Sequence, residues 1–132
     1  MPKERFPGFE GCMKLMRKHD AQLQEEGFHA LLPYARKYID ELIDEFHKER
    51  DQGLRYWLLE LLGEAKSPKV LPVFEECLQG DDESFWWAAV RGLQALNTKE
   101  SRKALYEAKS YSKATEERTR YFQQELESML KN

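Results

Sequence analysis

Asp40, Asp44 and His47 fall at i, i+4 and i+7, so a helix through them presents two carboxylates and an imidazole on one face. That set could coordinate a divalent cation, as helix bundles do with Glu-x-x-His pairs. The same residues are also what any solvated helix face carries. His19 and His29 stand in no such constellation, and Cys12 and Cys77 lie in neither a CxxC nor a Cys/His spacing. The two cysteines read as buried thiols in a reducing cytosol. The sequence has no GxSxG, no P-loop and no dinucleotide fingerprint. The expectation is a protein that is not an enzyme and holds no cofactor and no metal.

The elements must therefore do the explaining. At 132 residues the chain fits one domain with a real core. It is 41% hydrophobic, 12% aromatic and 34% charged, which excludes disordered, collagen-like and membrane classes and favours a helical protein with a charged exterior. The start, MPKERFPGFEGCM, is basic but has no apolar stretch of signal-peptide type, and no run approaches a membrane span. These features predict a cytoplasmic protein.

Residues 1–11, with Pro2, Pro7, Gly8 and Gly11, read as an irregular lead-in from which Phe6 and Phe9 can pack down. Cys12, Leu15, Met16 and Leu23 predict a weak amphipathic helix to about Gln24, closed by Gly27. From Pro33 a helix to about Glu49 follows the stripe Ala35, Tyr38, Ile39, Leu42, Ile43 and Phe46. The next buries Leu54, Leu58, Leu61 and Leu62 and ends on Gly63 as a C-cap; Ser67 caps its partner, with Pro68 in the first turn and Val70, Leu71, Phe74, Cys77 and Leu78 inward. After the turn Gly80-Asp81-Asp82, the stripe Phe85, Ala89, Gly92, Leu93 and Leu96 runs to Asn97 in a capping place. A helix over 101–111 buries Ala104, Leu105 and Ala108. Ser112 or Thr115 then caps a last helix that buries Phe122, Leu126, Met129 and Leu130 and leaves Glu116, Glu117, Arg118 and Arg120 wet.

The middle of the chain repeats itself. Asp51 to Leu58 (DQGLRYWL) aligns with Asp82 to Ala89 (DESFWWAA) at a shift of 31. Leu62-Gly63 aligns with Leu96-Asn97, and Val70-Leu71 with Ala104-Leu105, at a shift of 34. Leu32-Pro33 aligns with Leu71-Pro72 at 39, which makes residues 28–49 the back half of an earlier unit. Periods of this size indicate stacked helical pairs.

Leu54-Arg55, Leu58, Leu61-Leu62-Gly63, Pro68, Leu71 and Asp81-Asp82 resemble the HEAT-like (armadillo-like) repeat: an apolar-Arg pair, Leu-Gly, a second apolar helix and an acidic turn. The second unit departs from the pattern, with Trp86 where Arg is usual and Asn97 for Gly. The resemblance implies an all-α fold, a short right-handed solenoid of antiparallel helix pairs with six to seven helices. The chain then reads as one domain, with N-terminal helices over 12–50, the best-matching repeats over 51–80 and 82–112, and a C-terminal capping helix over 113–132. Some HEAT-like proteins are di-iron hydroxylases with ligands in His-Glu dipeptides, yet here the dipeptides are His19-Asp20, His29-Ala30 and His47-Lys48. The family also includes bilin lyases, for which no distinguishing residue stands here.

Such a stack exposes two ribbons. On the first, the stripe opposite the core runs through Tyr56 and Glu60, then through Trp87, Arg91 and Gln94; Tyr56 and Trp87 are equivalent at the shift of 31. Adjacent helices lie about 8 to 10 Å apart, so these rings could form a short aromatic ladder of the kind that anchors interfaces. The plainer reading folds Trp87 over a neighbour. On the second ribbon, residues 40–83 hold thirteen acidic and five basic side chains, a charge of −8. Asp40, Asp44, Glu75 and Glu76 can all face outward there, as an acidic face for a basic partner or as ordinary solvated surface. The best basic cluster, Arg102, Lys103, Lys109 and Lys113 interleaved with Tyr106 and Tyr111, is too small for a phosphate-neutralising stripe. The expectation is a protein-protein interaction module, monomeric or weakly dimeric, with a basic protein partner and neither nucleic acid nor membrane. Its concrete form is an immunity or inhibitor protein covering a toxin. The alternative is a cofactor- or metal-holding accessory protein or lyase-like enzyme.

Overall fold

The structure is a computed structural model that describes residues 6–111 and 115–131, and it divides into two compact units, residues 1–65 and 66–132. Pro2, Ser112 and Lys113 lie outside the described residues.

In the first unit α1 spans Gly8–Met16, α2 Ala21–Leu31, α3 Ile39–Lys48 and α4 Gln52–Glu64, with a 3-10 turn at Leu32–Tyr34. The first helix starts inside the expected lead-in, where Gly8 turns the chain with φ +86°. The segment expected as one helix to Gln24 is two, because the Asp20 carboxylate accepts from the Leu23 N–H at 3.0 Å and begins a new helix. Gly27 therefore does not close a helix. It is buried in the middle of α2, where a Cβ would come within 2.7 Å of the Cys12 carbonyl oxygen, so only glycine permits this crossing.

Pro33 likewise opens only the 3-10 turn, and α3 starts at Ile39. Phe6 stacks on Tyr34 at 4.0 Å and Phe9 packs on Tyr38 at 5.3 Å, fastening that turn to the start of α1. Ala35, Ile39, Leu42 and Phe46 are buried as the stripe requires. Asp51 caps α4 through the Leu54 N–H at 2.8 Å, and Arg55 Nε donates to the Phe46 carbonyl at 3.1 Å with its guanidinium 4.1 Å from the Phe46 ring centre. Arg55 so closes the end of α3, whose last carbonyls have no partner within the helix. Gly63 is still helical; the left-handed residue beyond α4 is Lys66, at φ +50°.

In the second unit α5 spans Leu71–Gln79, α6 Glu83–Leu96, α7 Lys99–Ala108 and α8 Glu116–Lys131, after a 3-10 turn at Pro68–Val70. Ser67 accepts from the Lys69 N–H at 3.3 Å and so caps the 3-10 turn ahead of α5, while Asp82, in the acidic turn expected there, accepts from the Ser84 N–H at 2.9 Å and caps α6. Asn97 ends α6 in the left-handed region at φ +42°. Thr98 and Ser101 form a reciprocal capping box for α7, and Thr115 accepts from the Arg118 N–H at 3.1 Å at the start of α8. At Gly92 a Cβ would collide with the Phe74 ring, with its Cε atoms 2.8 Å away, so α5 and α6 cross at van der Waals limits.

Helix α8 runs parallel to α6: Trp87 meets Tyr121, and Gln94 meets Glu125, with numbers rising together along both helices. Its inward positions Arg118, Phe122 and Leu126 follow Phe85, Ala89 and Leu93 of α6 at a shift of 33, and all six are buried. Arg118, expected in water, is 1% exposed instead. Its guanidinium donates to the carbonyls of Leu78 and Gly80 at the end of α5 and lies 4.6 Å from the Trp86 ring centre. Leu130, expected inside, is 66% exposed, beyond the edge of the stripe that Arg118, Phe122, Leu126 and Met129 form.

Among the described residues there is no strand, and the fold is of the all-α, helical-repeat class that the sequence predicts. The described residues form eight α-helices where about six to seven were expected, the break at Asp20 adding one. Cys12 and Cys77 are both buried thiols, and burial pushes the Cys12 pKa up.

Candidate functional site

The expected site residues fall in two groups. Asp40, Asp44, Tyr56 and Glu60 belong to the first unit, and Glu75, Glu76, Trp87 and Arg91 to the second.

On α3, Asp40 and Asp44 are exposed one turn apart. The Asp44 carboxylate pairs with Lys48 Nζ at 2.8 Å, and this hydrogen-bonded pair holds the Lys48 pKa above its ordinary value. Glu45, on the flank, bonds Arg17 at 2.8 Å. His47 is exposed, with its ring edge-on to Phe46 at 5.7 Å. Among the described residues no three His, Cys, Asp or Glu side chains come together as metal ligands. The face is acidic but partly offset by its own Lys48 and by Arg17 from the end of α1.

Tyr56 and Glu60 are half-buried on α4, beside Trp57, whose ring meets Phe28 edge-on at 4.6 Å. On α5 Glu76 is exposed and Glu75 half-buried. Burial pushes the Tyr111 pKa up, opposed by a hydrogen bond with Gln79, and the nearby Glu75 carboxylate pushes it further.

The stripe Trp87, Arg91, Gln94 on α6 is shared with α8. Trp87 is 52% exposed, and its ring lies 6.3 Å from that of Tyr121, tilted by 38°. Gln94 Nε2 donates to Glu125 Oε1 at 2.7 Å, closing the far end of the seam. Burial raises the Tyr121 pKa to about 12, with Glu125 and Glu83 adding to the rise and Arg91 opposing it. Two rings, one half in water, thus lie among Glu83, Arg91 and Glu125, a combination of apolar area and charge suited to anchoring another protein.

Tyr121 and Glu125 were not among the expected site residues. No repeat in the sequence pairs Tyr121 with Trp87; the pairing follows from α8 lying beside α6. The basic cluster on α7 is tied into the fold: Arg102 donates to the Asn97 side chain at 2.9 Å and its carbonyl at 3.1 Å, while Lys109 lies 4.4 Å from the Tyr106 ring centre and bonds Gln123. Tyr106 itself is 60% exposed. Among the described residues no helix is long and apolar enough to cross a membrane.

The family model for HEAT repeats matches residues 39–121, from the start of α3 to Tyr121. No curated protein and no solved structure matches the chain. HEAT repeats are typically scaffolds for protein interaction and are generally non-enzymatic. With a match over more than half its length, and with helix pairs capped and packed as above, the chain belongs to the family of HEAT repeats.

Proposed function

We propose that this chain is a non-enzymatic docking module for another protein, and that the α6/α8 seam around Trp87 is its principal contact. The observation that carries the reading is a Trp ring 52% exposed on a rigid helix and backed by Tyr121. An indole held half in water leaves apolar area uncovered, and Trp is prominent among residues that dominate binding energy. The α3 carboxylates Asp40 and Asp44, with Glu76 on α5, favour a basic partner by steering its approach. The partner-facing set is Tyr56, Glu60, Trp87, Arg91, Asp40, Asp44, Glu75 and Glu76, to which Tyr121 is added.

The finer form of this proposal is an immunity or inhibitor protein of the cytoplasm that covers a basic toxin, since a charge of −8 over residues 40–83 suits both fast encounter and blockade. Affinity capture from the native host tests it. A specific protein partner, lost with Trp87→Ala and weakened with Asp44→Lys, is the expected result. Recovery of no partner, or capture indifferent to both changes, would overturn the proposal.

A further inference from the structure

We infer that the upper end of the α6/α8 seam receives a lysine or arginine side chain of the partner, laid on the Trp87 and Tyr121 rings between Glu83 and Glu117. The inference rests on the docking reading and specifies the chemistry of its anchor.

Helix periodicity sets the frame. Glu83, Trp87, Arg91 and Gln94 follow one another at four, four and three along α6, and Glu117, Tyr121 and Glu125 at four and four along α8. Because the helices are parallel and Trp87 is level with Tyr121, Glu83 and Glu117 share the level one turn earlier. Both carboxylates are on exposed residues. The rings lie 6.3 Å apart and tilted by 38°, so their faces are not closed on each other in a flat stack. A cation within about 6 Å of a ring centre is attracted by the negative ring face.

Charge sorts the possible occupants. Glu83 and Glu125 reach the Tyr121 phenol strongly enough to add to its raised pKa, so the field at the rings has a negative component that an incoming cation relieves. Arg91, one turn beyond Trp87, opposes it. That confines an added cation to the Glu83 and Glu117 side, away from Arg91. An acidic side chain would meet two carboxylates there. A purely apolar one would fill the rings and leave the charges without a role.

The test uses the full chain and a hexalysine peptide, with hexaglutamate as control, followed by amide and indole NMR shifts. Hexalysine should shift Glu83, Trp87, Glu117 and Tyr121 as a group, and hexaglutamate should not. Trp87→Leu should weaken hexalysine about tenfold, Trp87→Phe less, and Glu83→Lys should remove the effect on the rings. Trp87 is half in water and Glu83 exposed, so both variants keep the fold, which circular dichroism verifies. Shifts centred on the α3 carboxylates and insensitive to Trp87→Leu would overturn the inference. So would self-association, seen by sedimentation and lost in Trp87→Leu, because it assigns the seam to a second copy of this chain. If host capture still yields a partner through Trp87 while hexalysine ignores the rings, the cation is wrong and the docking reading stands. If capture yields nothing, the docking reading has failed and the cation site with it.

Discussion

Arg118 and Trp86 donate to the same acceptor, the carbonyl of Gly80, at 3.3 and 2.7 Å, while the guanidinium lies 4.6 Å from the indole. In the first unit one residue, Arg55, does the comparable work by closing α3 through the Phe46 carbonyl. Trp86 is the equivalent of Arg55 at the shift of 31. Its ring N–H supplies one hydrogen bond but no charge, and Arg118 brings the charge from α8 to the negative end of α5. The departure from the family pattern at position 86 is thus compensated from 32 residues away.

Arg118→Ala should therefore destabilise the chain by about 2 to 4 kcal/mol, since it leaves the carbonyls of Leu78 and Gly80 without this donor and opens a cavity under Trp86. Arg118→Lys should recover less than half of that, because a point charge cannot serve two carbonyls and stack at once. Urea denaturation of the three proteins measures both.

Trp86→Phe keeps a ring beneath the guanidinium and removes only the N–H to Gly80. A loss of about 1 kcal/mol is expected, read as a shift in the denaturation midpoint with unchanged slope.

Gly92→Ala forces a methyl into the Phe74 ring, which is 1% exposed and has no room to swing aside. Overpacking of this kind costs about 1 to 3 kcal/mol. Adding Phe74→Leu should return part of the loss, and a double-mutant cycle by thermal denaturation shows the coupling.

The caps at Ser67 and Asn97, and the acidic turn Asp81-Asp82 before α6, were legible because the chemistry that stops or starts a helix is local. Gly27 was not: propensity reads it as a breaker, whereas the fold needs its missing Cβ against Cys12. Arg118 misleads for the same reason. It sits on the stripe of Phe122 and Leu126, but a charge in that place looks solvated until the end of α5 is known to lie there. Of the site, Trp87 could be read from its stripe, while its pairing with Tyr121 depends on α8 lying beside α6.

Tyr121 should report the state of the seam in alkali. Its folded pKa of about 12 lies above the ordinary value near 10. The folded state thus holds the phenolic proton more firmly than the unfolded state does. That contribution is intact below about pH 10 and is lost as the pH rises towards 12. Tyrosinate absorbance should show a phenol titrating near pH 12 that disappears in Tyr121→Phe, and that variant should lose less stability over the same interval.

Amide hydrogen exchange, compared between the chain alone and the chain saturated with its captured partner, decides whether the seam is the docking face. Added protection should concentrate in residues 83–94 of α6 and 117–128 of α8. A partner that binds and leaves both segments exchanging as in the isolated chain would contradict the assignment.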